Sequence, residues 1–164
     1  MEPVRGHRPT AALEEFVLNE ARLLDNRHFE QWVELFAKDG DYWVPMTWDQ
    51  PDPVNHISLI FETVPILEIR MRRLVHEATA SQFPHTRTFH HVTNLLQFDA
   101  PKGEHRLEGG LLFAEHRRAE QRFFSGVVTW HLRETPQGLK IGRKTVRLLN
   151  CDQETGHLRL AVPF

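Results

Sequence analysis

The chain has 164 residues, enough for one sizeable core and too few for two comfortable domains, so one domain over 1–164 is expected, with residues 1–9 as a loose polar arm. Its 40% apolar and 26% charged residues exclude a disordered chain, and 20 basic against 22 acidic residues give no electrostatic reason to expect nucleic acid. Cys151 is the only cysteine, which excludes an intramolecular disulfide, a thiolate zinc cluster and a cysteine-held iron–sulfur cluster within the chain. With no apolar leader and no long apolar run, no membrane segment and a cytoplasmic location are expected.

Thr10 is placed to cap a first helix in which Leu13, Phe16, Val17, Ala21 and Leu24 form an apolar stripe, with Glu14, Glu15 and Glu20 facing water. Asp25 is expected to cap a second helix, on which Phe29, Trp32, Val33 and Phe36 repeat at helical spacing and make an aromatic face that needs cover. Lys38-Asp39-Gly40-Asp41 breaks that pattern, and Tyr42-Trp43-Val44-Pro45 reads as the start of a sheet, with Pro45 at an edge or a strand end. Pro51 and Pro53 stiffen a polar loop, and Thr63 precedes a third helix with Pro65 in its first turn and Arg70, Arg72 and Arg73 on a basic side.

Beyond Leu74 the pattern becomes extended, with candidate strands at 89–98, 104–117, 122–133 and 139–149. Alternation puts Phe89, His91 and Thr93 on one side and His90, Val92 and Asn94 on the other, unless a bulge intervenes, and Gly109-Gly110 suggests a bend. Helices first and long antiparallel strands second predict an α+β fold: a curved, cone-shaped sheet closed in part by N-terminal helices. That architecture serves enzymes, binding modules and structural subunits alike.

Two catalytic readings are open. A two-histidine, one-carboxylate iron site drawn from His85, His90 or His91 with Asp99 or Glu104 lacks any fixed ligand spacing, and adjacent strand residues such as His90 and His91 point apart. An acid/base pair inside the cone, drawn from Asp41, Tyr42, His76, His90 and His91, would make a free-standing dehydratase or isomerase. No nucleophile elbow and no glycine-rich phosphate loop is present.

The stretches EARLLDNRHFEQWVELFAKDGDYWVP at 20–45, DPVNHISLIFE at 52–62, RTFHHVTNL at 87–95 and GRKTVRLLN at 142–150 resemble, in order and spacing, the small (beta) subunit of the aromatic-ring-hydroxylating dioxygenases, the family of the benzoate, biphenyl and naphthalene enzymes. The resemblance implies the cone fold of nuclear transport factor 2, also called cystatin-like, and a non-catalytic, structural role without a cofactor of its own. It also implies a homotrimer joined to three large subunits as an alpha3beta3 hexamer. There the large subunit carries a Rieske [2Fe–2S] cluster and a mononuclear Fe(II), fed from NAD(P)H through a reductase or ferredoxin. The short loop at 47–55 and the ending LRLAVPF depart from the larger members, and the loop is closer to the benzoate-type small subunits.

Within the resemblance, Arg87, Thr88, His90 and Asn94 match an Arg-Thr-x-His-x-x-x-Asn pattern and are assigned to subunit contact and local hydrogen bonding. A three-fold contact is heterologous, so each subunit presents two different faces. The expected contact surfaces are Trp43, Val44 and Pro45, the 87–94 strand, and the apolar end at Phe164.

Overall fold

The computed structural model describes residues 5–76, 84–153, 160 and 162–164. Among the described residues, three helices and six strands follow in the order α1 (Ala11–Asp25), α2 (Phe29–Glu34), β1 (Phe36–Pro45), β2 (Ser58–Thr63), α3 (Val64–Val75), β3 (Arg87–Phe98), β4 (Glu104–Arg117), β5 (Glu120–Thr135) and β6 (Gly138–Leu148). The strands form one sheet in the order β2-β1-β6-β5-β4-β3, antiparallel except where β1 runs parallel to β6. The expected α+β architecture is therefore present, with the helices on one face of a bent, mixed sheet.

The first and third helices start where the sequence places them, although Thr10 and Thr63 hold the N-cap positions without a side-chain cap bond, whereas the second starts at Phe29 with His28, not Asp25, at its N-cap. The apolar stripe of α1 is buried at Leu13, Val17, Ala21 and Leu24, and that of α3 at Leu67, Met71 and Leu74. Trp32 of α2 packs edge-on against Phe36 and Tyr42, which covers the aromatic face.

Several local expectations need correction. The second helix is only Phe29–Glu34, Phe36 already belongs to β1, and Lys38-Asp39-Gly40-Asp41 lies inside that strand as an irregularity in its pairing with β6. Gly40 permits this, because a Cβ there would stand 2.6 Å from the Ile141 carbonyl oxygen. Pro45 ends β1 as expected, but β1 is an interior strand between β2 and β6. Residues 5–9 are not loose: His7 exchanges two backbone hydrogen bonds with Gln97, at 2.9 and 2.8 Å, and so extends the edge of β3.

The bend expected at Gly109-Gly110 coincides with the bulge on β3. There Asn94 takes a positive φ of 51°, and the register slips between Thr93 and Leu96. A Cβ on Gly110 would come within 2.9 Å of the Thr93 hydroxyl, so the glycine lets the bulged strand close down on β4. Up to Thr93 the predicted alternation holds, with His90 buried and Phe89 and His91 exposed.

Candidate functional site

The concave face of the sheet and the helices enclose an interior that is largely apolar yet holds a set of paired polar side chains. Glu20 of α1, buried at 1% exposure, is the first correction here, since its expected place was on the water side. Position 20 lies three residues after Val17 and four before Leu24, which puts it on the apolar stripe. Its carboxylate accepts from the indole N–H of Trp32 at 2.8 Å, the indole N–H of Trp130 at 3.2 Å and the Lys144 ammonium at 2.5 Å. Burying two tryptophans whole requires an acceptor for each N–H, and burying that acceptor as a carboxylate requires the cation.

A second cluster joins α1 to β3. Asp25 is the last residue of α1 and caps nothing on α2. One of its oxygens accepts from the Thr88 hydroxyl at 3.0 Å and faces His90 Nδ1 at 2.6 Å, while the other accepts the His90 backbone N–H at 3.0 Å. On the far side of the ring, His90 Nε2 meets the Pro163 carbonyl oxygen at 2.9 Å. Both ring nitrogens face oxygens, so both contacts are donated at once only by a ring carrying a proton on each nitrogen.

Tyr42, fully buried, accepts the Phe164 backbone N–H at 3.1 Å, and burial pushes its phenol far above its ordinary pKa. Beside it, Glu62 of β2 and Arg70 of α3 stand 3.1 Å apart without the alignment of a hydrogen bond. Burial raises the Glu62 carboxyl above the usual value of 4.5, with Arg70 opposing the shift. The folded state thus holds this proton more firmly than the unfolded chain does. The resulting contribution to stability is full below pH 4.5 and fades as pH rises through the raised folded value. Glu62→Gln is expected to flatten that part of the stability–pH curve, which urea melts at half-unit steps across mildly acidic pH will show.

The acid/base set foreseen from sequence is only partly assembled. Tyr42 and His90 face the interior, and Asp25 joins them. Asp41 instead pairs with Arg143 at 2.6 and 2.9 Å on the outer face, His91 stacks on Phe89 there at 4.6 Å, and His76 is exposed just after α3. Among the described residues no group of three histidine, cysteine or acidic side chains is arranged to hold a metal ion. A groove of 840 Å³ opens between α2, α3 and the β5–β6 turn, but Val33, Phe36, Met71, Arg72 and Lys140 line it and none of the interior polar groups does.

The expected contact residues separate by burial. Tyr42's neighbours Trp43, Val44 and Pro45 are buried within this chain, as are His90 and Phe164, and Thr88 is half-buried. Arg87 and Asn94 are exposed. The apolar character of Phe164 needs no neighbour to explain it, because its ring packs edge-on against Phe113 and Phe124, each 5.3 Å away.

This architecture, helices against the concave face of a bent mixed sheet with a filled, largely apolar interior, is the nuclear transport factor 2-like cone. An NTF2-like protein with a cystatin-like fold from Novosphingobium aromaticivorans superposes with a TM-score of 0.60 over 90% of this chain and 87% of its own, at 15% identity. The beta subunit of benzoate 1,2-dioxygenase from Burkholderia mallei superposes at a TM-score of 0.74 over 89% of this chain and 94% of its own, at 26% identity. The family model for the ring hydroxylating beta subunit matches residues 19–153. The 2-halobenzoate 1,2-dioxygenase small subunit of Burkholderia cepacia is 31% identical over 143 residues, 82% of this chain and 85% of that one. The toluate 1,2-dioxygenase beta subunit of Pseudomonas putida is 38% identical over 90 residues, 51% of this chain, a stretch that spans 55% of that relative's length. The chain belongs to the ring hydroxylating beta subunit family.

A Rieske cluster does not fit these residues. Such a centre needs two cysteines and two histidines, and the sole cysteine, Cys151, is buried with its thiol pKa pushed up by that burial, opposite to what a thiolate ligand needs.

Proposed function

We propose that this chain is the non-catalytic small subunit of an oxygenase that adds both atoms of dioxygen to an aromatic ring, with the redox centres on a large partner subunit. The observation that carries this reading is the family match over 19–153. The similarity to toluate and 2-halobenzoate subunits favours an aromatic carboxylate as substrate of the assembly. In this reading the large subunit holds the Rieske cluster and a mononuclear Fe(II) and receives NAD(P)H electrons through a reductase or ferredoxin, in a cytoplasmic alpha3beta3 hexamer.

Of the expected contact residues, Arg87 and Asn94 keep exposed side chains, so they carry the proposed contact with neighbouring subunits. A cross-strand apolar row, Phe89–Ala114–Phe123, lies next to Arg87, and both of its phenylalanines are exposed. The test is co-expression with a large subunit of a benzoate- or toluate-type oxygenase. The purified mixture, given reductase and NAD(P)H, is expected to consume oxygen with benzoate or toluate, and the small chain alone is expected to consume none. Sedimentation is expected to show a complex that Arg87→Glu weakens at least tenfold, and a chain that never associates would end the proposal.

The runner-up, a free-standing dehydratase or isomerase, draws on the Asp25–His90 pair and Tyr42. It is less well supported because residues 162–164 occupy the space where a substrate would meet them.

A further inference from the structure

Residues 162–164 enter the cone and are held there by side chains of five different strands. The Phe164 ring packs edge-on against both Phe113 and Phe124, its N–H donates to the Tyr42 hydroxyl at 3.1 Å, and its main-chain oxygen accepts from the Lys144 ammonium at 2.6 Å. One residue back, the Pro163 carbonyl oxygen accepts from His90 at 2.9 Å. No sheet ladder supplies these bonds. They are the contacts of a small-molecule site, an aromatic cage with a few converging polar groups, filled by the protein's own chain.

We propose that this interior is a binding site for an aryl-bearing carbonyl compound, occupied in cis by Phe164. The aromatic ring would sit against Phe113 and Phe124 two carbons from its carbonyl carbon, the oxygen on Lys144 and an adjacent N–H on Tyr42. Lys144 and the His90 ring each already face a carboxylate, Glu20 at 2.5 Å and Asp25 at 2.6 Å, and each also meets an oxygen of residues 163–164, so the site asks its ligand for acceptor oxygens. The ligand class is therefore an aryl compound with an acceptor carbonyl or carboxyl oxygen two carbons from its ring. The site lies on this chain alone and stands whether or not the large subunit is the one proposed above.

The tethered phenylalanine competes at an effective concentration on the order of millimolar, which hides the site from weak ligands in the intact chain. The experiment is calorimetric titration of the full chain and of Phe164→Ala with N-acetyl-L-phenylalaninamide. The alanine variant is expected to bind it at least tenfold more tightly than the intact chain does, and to have its lowered Tm raised by saturating probe. Adding Tyr42→Phe is expected to cost about tenfold in affinity, because the hydroxyl that accepts the ligand N–H is gone. Equal affinity of intact chain and variant would overturn the proposal. So would toluene binding as tightly as the amide, which would leave only an apolar void. If Phe164→Ala does not fold, Phe164→Leu keeps most of the packing, and the same titration should show at least threefold tighter binding than the intact chain; no difference rejects the site.

Discussion

Lys144→Met is expected to destabilise the fold by about 3–5 kcal/mol, a large part of the whole stability of a domain this size. The lysine is 2% exposed, and its ammonium holds Glu20 at 2.5 Å and the Phe164 carbonyl oxygen at 2.6 Å. Methionine fills much of the same volume, so little of the loss comes from a cavity. The loss comes from Glu20, left as a buried carboxylate with two indole donors and no cation, and from a carbonyl left without its donor. Replacing both partners is a different matter. Glu20→Gln with Lys144→Met removes the charge together with its counter-charge, and the amide oxygen can still accept from an indole, so the double variant is expected to recover at least half of the loss. Urea unfolding followed by tryptophan fluorescence reads both, with a lower midpoint at unchanged slope marking a change in stability and not in compactness. A single variant within 1 kcal/mol of the parent would show that the pair contributes little, as some buried pairs do when water reaches them (about that size).

The contrast between Glu20 and the strands shows where sequence reading succeeds. The strands at 104–117 and 139–149 are legible because two-residue alternation continues for more than ten residues between clear turns, and the structure moves their ends by a residue at most. The sheet order is less legible. The parallel pairing of β1 with β6 depends on contacts between positions a hundred residues apart, such as Asp41 with Arg143, and nothing local announces it. The spacing of Phe36 from Trp32 and Val33 fits a helix, yet the same spacing lets it start β1 and still pack on Trp32 at 5.0 Å. Glu20 carries a signal, its place on the apolar stripe of α1, but its charge points the other way, toward water. The Asp25–His90 pair carried none. Its members are 65 residues apart, and either one alone fits a cap or a surface site equally well.

Asp25→Ala is expected to cost about 3 kcal/mol, because the Thr88 hydroxyl, the His90 N–H and the His90 ring all lose the one carboxylate they share. A carboxylate in the last turn of a helix is disfavoured by the helix dipole by about 0.5 kcal/mol, so removing it returns a little of that loss. Its position at the end of α1 is tolerated because the Thr88 hydroxyl, the His90 ring and the His90 N–H all converge on it, at 3.0, 2.6 and 3.0 Å. Thr88→Val should cost about 1 kcal/mol, since it removes a single hydroxyl donor. Hydrogen exchange gives a local check: the His90 amide is expected to exchange faster in Asp25→Ala than in the parent, while amides in the middle of β5 change only with global stability. The same variants decide what Thr88 and His90 are for. If they serve this chain's own fold, as the geometry of Asp25 indicates, the variants lower Tm and leave the association of the folded protein with its neighbours within threefold of the parent. If they serve subunit contact, as the Arg-Thr-x-His pattern first suggested, association falls further than Tm accounts for. Sedimentation at a temperature where every variant is folded separates the two, and a Tm within a degree of the parent together with lost association would return both residues to the interface.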